Sequence, residues 1–308
     1  MYNRDMKQVN QKLNPSTAGL AYTTNVAIYL IVNLLFTAIA SAASLTEDTD
    51  GYKYLAYLTA PLALAIGFFA IVSLFKQKIS SVAPIKCNYK YYIIALLMVF
   101  GLLFSVGKIS QPVAELLKIM GYHPKGQNLY MPSLEGGMIV PALIVMAVLP
   151  ALFEELLFRG LILNNCRPEI GDIRTVFICG FAFALFHASP EQTVYQFICG
   201  CAFSFLAVRS GSILPCMLMH FINNALIIIF CACGAVDSMG NLMIAESADI
   251  ALTVLAAVAF VASVLWLIFD KKPLTKRTKG GVLSFFITAS AGIIILIVLW
   301  IVSFVTRL

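Results

Sequence analysis

VPALIVMAVLPALFEELLFRGLIL, residues 140–163, is the stretch that decides the fold of this chain. It is long enough to cross a membrane, because roughly 20 apolar residues in a helix span about 30 Å of hydrocarbon. It nevertheless carries Glu154, Glu155 and Arg159. An ionisable group in hydrocarbon costs a few kcal/mol, so each of the three must be paired, hydrated or functional. The stretch therefore predicts a membrane-spanning helix that carries chemistry.

The composition extends this interpretation to the whole chain. Of the 308 residues, 60% are hydrophobic and 12% are charged, and the mean hydropathy is +0.90. A globular domain has about a quarter of its residues charged, so a water-soluble domain is excluded. Nine apolar runs are separated by short segments with charges, proline or glycine, at about 20–43, 54–75, 91–107, 137–164, 173–188, 192–209, 213–235, 249–269 and 282–306.

These runs predict an all-α fold, a polytopic integral membrane bundle of eight or nine transmembrane helices. The count is nine if every run crosses, and eight if 173–188 and 192–209 form a hairpin that does not fully cross. The longest interruption, about 108–136, has apolar residues at helical spacing, which predicts a short amphipathic helix. We expect four segments: a tail at 1–19, helices and a surface loop at 20–136, a catalytic core at 137–232, and further helices at 233–308.

The distribution of basic residues predicts the orientation. One set of alternate loops holds 15 of the 21 Lys and Arg, the opposite set holds five, and Arg159 lies inside a run. Loops rich in Lys and Arg stay in the cytoplasm, so we expect a cytoplasmic N-terminus and a multi-pass protein of a bacterial-type cell membrane. The net charge of +6 forms no basic patch of groove size, so no nucleic acid partner is expected.

The spacing of the ionisable residues separates two carboxylates. Glu155 and Arg159 are four residues apart on one helix face and can neutralise each other. Glu154 lies about 100° around the helix, so it is left over. His187 and His220 also lie in apolar runs, and Asn224 shares a helix face with His220. Pro150, one turn before Glu154, is expected to kink the helix.

A carboxylate, two imidazoles and an amide in a dry cavity suit the attack of water on a carbonyl. Glu154 would take the proton from water, a His and Asn pair would hold the oxyanion, and the second His would orient the water. Hydrolysis of a peptide bond is the prediction. A zinc ion held by Glu154, His187 and His220 is the alternative that these residues leave open.

Other interpretations compete with catalysis. The Glu155–Arg159 ion pair needs no catalytic role to explain it, because it stabilises the helix. A lone His in an apolar helix is more often a packed core residue. A non-catalytic membrane protein that binds a peptide or scaffolds a partner is the first alternative. A proton-coupled transporter is the second, and the lack of an internal repeat weakens it. GxSxG and HExxH are absent from the sequence, which disfavours serine and zincin-like proteases.

Three short motifs in order support the catalytic interpretation. They are EExxxR at Glu154, Glu155 and Arg159, FxxxH at Phe183 and His187, and HxxxN at His220 and Asn224. Together they resemble the CAAX protease and bacteriocin-processing family of intramembrane endopeptidases, also called the CPBP or Abi family. The resemblance covers about 137–232.

The resemblance implies a helical membrane endopeptidase whose cavity opens to lipid or cytosol. It implies Glu154 as the base with His187 as its partner, and His220 with Asn224 as the oxyanion site. It makes Glu155, Arg159 and Phe183 supporting residues.

The family has been described both as metalloproteases and as glutamate proteases. No cofactor is certain, Zn²⁺ is the open possibility, and we favour metal-free chemistry because a His and Asn pair suits an oxyanion. The implied partners are membrane lipid and a membrane-associated peptide or protein. Relatives cut prenylated tails or act in bacteriocin maturation, self-immunity and surface-protein processing, so the substrate and the oligomeric state stay undetermined.

Overall fold

The structure is a computed structural model that describes residues 13–123, 131–237, 240–277 and 280–308. Most of the predicted N-terminal tail, 1–19, therefore lies outside the described residues. Within the described ranges the chain is helical, and the β structure there is one isolated bridge between Val236 and Leu242. The all-α prediction is confirmed.

Ten helices in the described ranges are numbered here in chain order. They are α1 Pro15–Ala42, α2 Asp50–Leu74, α3 Lys90–Phe104, α4 Ser110–Ile119, α5 Ile139–Ile170, α6 Asp172–Phe186, α7 Thr193–Ser210, α8 Leu214–Ala232, α9 Glu246–Ile268 and α10 Val282–Val305. A single helical turn, Ile79–Val82, lies between α2 and α3.

Eight segments of the described chain are long and apolar enough to cross a membrane. They are α1, α2, the segment Lys90–Ile119 that contains α3 and α4, α5, α7, α8, α9 and α10. Helix α6 has 15 residues, or about 22 Å at 1.5 Å per residue, which is less than the hydrocarbon thickness of about 30 Å. The polytopic bundle is confirmed, with eight described segments of sufficient length, and the predicted run at 173–188 is the one that falls below it.

The predicted amphipathic helix in the long interruption is present as α4. Its Leu117 is buried, whereas Leu116 and Met120 are exposed. Helix α4 follows α3 after a short 3₁₀ segment, Val106–Ile109. The interruption is therefore partly helical, as its spacing indicated.

Hydrogen bonds join the loops that hold most of the basic residues. Asn165, near the end of α5, accepts from the backbone N–H of Asn14 before α1 and from Gln77 after α2, at 3.2 and 2.8 Å. Arg209, near the end of α7, donates to the carbonyl of Lys272 after α9. These loops lie at one end of the bundle, which we call the basic face because 11 of the described Lys and Arg belong to it.

An ion pair on the basic face ties α3 to the end of α9. Asp270 accepts from Lys90 Nζ at 2.7 Å and from the Tyr91 hydroxyl at 2.9 Å. Burial acts to raise the pKa of Asp270, but hydrogen bonds from Lys90, the Lys272 backbone and Tyr91 outweigh it and lower the pKa to about 2. The carboxylate is therefore ionised at neutral pH, and the contact is a charged one.

The other end of the bundle holds the remaining loops. Arg307, after α10, donates to Glu191 in the turn between α6 and α7 and to the hydroxyl of Tyr122 after α4. Lys108 pairs with Asp249 in the first turn of α9. Nine of the 15 Asp and Glu, but only four of the described Lys and Arg, belong to this end, so we call it the acidic face. The turn between α6 and α7 therefore reaches the acidic face, although α6 is short.

Two glycines bring the backbones of α6 and α7 into contact. A Cβ on Gly200 would lie 2.8 Å from Gly180 Cα and 3.1 Å from the Gly180 carbonyl oxygen. Real Cβ atoms essentially never approach other atoms closer than 3.0 Å. Small residues at helix contacts in membranes permit this kind of approach. The two glycines thus set the spacing of the hairpin.

Gly200→Ala tests this spacing. The added methyl group meets backbone, which cannot move aside cheaply, so we expect a loss of about 1–3 kcal/mol of unfolding free energy. Thermal unfolding of the purified protein in detergent measures it. Gly51→Ala is the matched control, because its Cβ would meet only the Leu45 side chain, at 3.5 Å or more. Equal unfolding midpoints for the two variants would contradict the close contact.

Candidate active site

A cavity of about 220 Å³ lies between α2, α5, α6, α7 and α8. The four residues predicted to act in catalysis, Glu154, His187, His220 and Asn224, all line it. They come from two helices, α5 and α8, and from the turn after α6, and the first and the last are 70 positions apart in the chain. The tertiary structure therefore brings the predicted set to one place.

Helix α5 is interrupted on both sides of Glu154. Residues Ile144–Val148 and Leu156–Ile162 form π-helical segments, and Leu149–Glu155 between them is α-helical. Pro150 is near the start of this middle piece, where a missing N–H is tolerated. Such π segments are frequent at functional sites because they change the direction of side chains and free backbone groups. A π segment lies directly before Pro150, and the kink expected at this proline stays a prediction.

A fully buried network lies beneath the cavity. Glu155 Oε1 accepts from Arg159 Nη1 at 2.9 Å, and neither side chain is exposed. The same oxygen accepts from His220 Nδ1 at 2.8 Å. Arg159 also donates to the carbonyl of Gly200 on α7, at 3.3 Å. The ion pair expected within one helix therefore also connects α5 to α7 and α8.

Aromatic rings surround the Arg159 guanidinium. Its carbon atom lies 4.4 Å from the ring centre of Phe183 and 5.0 Å from that of Phe203. The electron-rich face of a ring attracts a cation, most strongly where water is excluded. Phe183, the first residue of the FxxxH motif, thus contacts the buried cation directly. Phe203, which the sequence analysis did not single out, completes this enclosure.

Glu154 points away from the buried network and into the cavity. Its side chain is 12% exposed, and Oε2 lies 3.9 Å from His220 Nε2, beyond hydrogen-bond distance. Among the described residues, this oxygen has no hydrogen-bond partner. Glu154 is therefore the carboxylate that faces the cavity, outside the Glu155–Arg159 pair.

His187 is presented by the turn that ends α6. Its Nδ1 donates to the carbonyl of Phe183 at 2.9 Å, which leaves Nε2 of a neutral imidazole as an acceptor. The next residue, Ala188, has a φ of 45°, in the left-handed region that favours glycine. The contact of Glu191 with Arg307 fixes the same turn. The unfavourable backbone conformation of Ala188, directly after His187, is thus held by contacts of the turn with distant parts of the chain.

Asn224 contacts the first π segment of α5. Its Nδ2 donates to the Met146 carbonyl at 3.0 Å, and its Oδ1 accepts from Asn223 at 3.1 Å. An amide nitrogen has two hydrogens, so one N–H of Asn224 is left after the contact with Met146. The orientation of the amide group is fixed from both sides.

Further polar residues line the cavity that the sequence analysis did not select. They are Gln192, Gln196 and Asn223. Gln192 and Gln196 are four residues apart, a polar pair on one face of an apolar helix. This spacing is a signal that would have identified them, as the same spacing did for His220 and Asn224.

The positions of the donor atoms test whether Glu154, His187 and His220 could bind zinc, the alternative that the sequence left open. Nδ1 of His187 donates to a backbone carbonyl, and Nδ1 of His220 donates to a carboxylate. Nε2 of each imidazole is therefore left for the cavity, and histidines that bind zinc have the same arrangement. However, within the part of the chain that the structure describes, no three His, Cys, Asp or Glu side chains are grouped so that they could hold a metal ion. Glu154, His187 and His220 as placed do not form a zinc site, and the mechanism below uses no metal.

Glu155→Gln tests the buried network. It leaves Arg159 without its counter-charge, and breaking a buried ion pair on one side costs about 3–5 kcal/mol. We expect a lower thermal unfolding midpoint in detergent. The double variant Glu155→Gln/Arg159→Met should recover part of the loss, because it removes the unpaired charge as well. Glu135→Gln is the exposed control. A Glu155→Gln protein as stable as the parent would contradict the role of the network.

A comparison with known families matches the part of the chain that forms this site. Residues 136–226 match the family model of the type II CAAX prenyl endopeptidases, Rce1-like. The match covers less than a third of the chain and includes all four cavity residues of the predicted catalytic set. No curated protein and no solved structure matches the chain. The resemblance seen in the three motifs is confirmed, and the chain is a multi-pass membrane protein whose residues 136–226 are similar to the Rce1-like type II CAAX prenyl endopeptidases.

Proposed function

We propose that this protein is an intramembrane endopeptidase that hydrolyses a peptide bond of a membrane-associated peptide or protein with water activated by Glu154. The observation that carries the proposal is the placement of an unpartnered carboxylate, Glu154, in a cavity shared with His187, His220 and Asn224. The family match over 136–226 supports a protease in general.

In the first step, water binds between Glu154 and His187. Glu154 takes a proton from the water as the oxygen attacks the carbonyl carbon of the substrate. His187 Nε2 accepts the second water hydrogen and orients the attack, since its Nδ1 is occupied by Phe183. The result is a tetrahedral intermediate with a negative oxygen.

The oxyanion is held by the remaining N–H of Asn224 and by His220. For His220 to donate, Nε2 must carry a proton, and the Glu155 carboxylate, which accepts from Nδ1, fixes the orientation of the ring. Fixed donors aimed at a developing charge give a large rate enhancement in a site that excludes water. Glu155 and Arg159 act here as positioning residues.

The intermediate then collapses. The bond between carbon and nitrogen breaks, the proton on Glu154 passes to the leaving nitrogen, and the products are a carboxyl group and an amine. Glu154 returns to its ionised form, so the enzyme is ready for another cycle.

Glu154→Gln is the decisive variant. It keeps the shape of the side chain but removes the base, so we expect cleavage of a membrane-peptide library to fall by a factor on the order of 10²–10⁴. Because the mechanism contains no metal, a chelator should leave the activity of the parent protein unchanged. The assay compares both proteins with chelator present and absent.

Glu135→Gln, an exposed carboxylate, is the control and should cleave like the parent. Activity that disappears with chelator would favour metal-activated water over the mechanism above. Full activity in Glu154→Gln would remove the proposed base. A folded parent that cleaves no peptide would favour the binding or scaffold interpretation, and a flux driven by a pH gradient and lost in Glu154→Gln would favour transport.

Asn224→Ala tests the oxyanion site. Loss of one oxyanion donor lowers kcat by about 10²–10³, and we expect KM to change little, since the donor acts on the transition state. Asn33→Ala is the matched control, because Asn33 also donates to a backbone carbonyl, that of Tyr29, but does not line the cavity. An equal effect of both substitutions on kcat would contradict a role for Asn224 at the oxyanion.

A further inference from the structure

The residues along α7 show at which end of the bundle the cavity opens. Gln192, just before α7 at the acidic face, is exposed, and Gln196 one turn further is half-buried. Cys199 and Phe203, deeper on the same helix, are buried. All four line the cavity. The cavity therefore has its mouth at the acidic face and its floor in the middle of the bundle.

The floor is closed toward the basic face. On each helix that carries a site residue, the positions nearer the basic face are fully buried apolar side chains: Phe158 and Leu161 on α5, Leu206 on α7, and Cys216 and Met219 on α8. Arg159, which is also unexposed, belongs to the buried network that lies beneath the cavity. A polypeptide segment has no route through this layer.

The charges of the two faces assign a side of the membrane to the mouth. Among the described residues, the basic face carries 11 Lys and Arg, and the acidic face carries four together with nine acidic residues. Basic loops remain in the cytoplasm during insertion. The mouth, at the opposite end, therefore faces away from the cytoplasm.

We propose that the cavity takes its substrate from the non-cytoplasmic side of the membrane. The proposal rests on the proposed endopeptidase function and names its substrate class: an extended segment of a polypeptide that is exported, or anchored with that segment outside the cytoplasm. It differs from the opening to lipid or cytosol that the family resemblance implied. A cytoplasmic carboxyl-terminal tail would reach only the closed basic face.

The walls of the mouth suit the main chain of such a segment. An extended peptide carries N–H and C=O groups that are costly to remove from water without partners. Gln192, Gln196 and Asn223 offer amide groups, each both donor and acceptor, between the mouth and the site. Recognition of main-chain groups requires no charge on the substrate.

The test is the accessibility of one added cysteine. The four native cysteines with exposed surface, Cys87, Cys201, Cys231 and Cys233, are first replaced by alanine. Gln192→Cys then reports on the mouth, and Ser80→Cys, exposed in the loop after α2, reports on the basic face. Intact cells and permeabilised cells are treated with a maleimide that does not cross membranes, and the protein without an added cysteine is the blank.

We expect Gln192→Cys to be labelled equally in intact and permeabilised cells, and Ser80→Cys to be labelled only after permeabilisation. The reverse pattern, or labelling of both variants in intact cells, would overturn the proposal. Absence of labelling at Gln192→Cys even in permeabilised cells would overturn it too, because the mouth would then be closed.

A second measurement separates this proposal from the enzymatic one. A soluble peptide that the purified protein cleaves is added to sealed vesicles of either orientation. We expect cleavage only by vesicles with the acidic face outward, and cleavage only by the inverted ones would overturn the proposal. If the purified protein cleaves nothing, the endopeptidase function fails while the labelling still decides the side.

Discussion

The oxygen atom of Glu155 that accepts from both Arg159 and His220 is the contact on which the rest of the site depends. In a membrane, an unpaired charge costs several kcal/mol, and here both charged groups are completely removed from solvent. The cation must therefore meet its counter-charge, and its two terminal nitrogen atoms both find acceptors. One of them reaches the Gly200 carbonyl, so the ion pair within α5 also determines where α7 and α8 lie.

This network explains why two adjacent glutamates have different roles. Glu155 faces the interior of the bundle and is occupied on one oxygen by two donors, whereas Glu154, about 100° around the helix, faces the cavity. The residue four positions after Met146 is Pro150, which has no N–H to donate to the Met146 carbonyl, and this carbonyl accepts from Asn224 instead. The division between a buried, paired carboxylate and a carboxylate that faces the cavity thus arises from helix geometry and from the partners of each group.

The hairpin of α6 and α7 supplies the second half of the site. Contact between Gly180 and Gly200 lets the two helices lie closely together, and the left-handed Ala188 ends α6 directly after His187. The cost of that conformation is offset by contacts of the turn with distant parts of the chain, among them Glu191 with Arg307 and Thr193 with Trp300. A residue held in an unfavourable conformation by its surroundings is typical of functional sites. The position of His187 is therefore a property of the whole bundle.

The sequence by itself determined the helical membrane fold, the Glu155–Arg159 pair and the set Glu154, His187, His220 and Asn224. Run length, hydropathy and spacing by four residues are local properties, and the cost of charge in hydrocarbon acts on each residue separately. Only the tertiary structure decided that His220 shares the oxygen of Glu155, and that Phe203 lines the cavity and contacts Arg159. It also decided that this cavity extends to the exposed Gln192 at the acidic face. These features depend on distances between segments far apart in the chain, which packing sets and which no local pattern encodes.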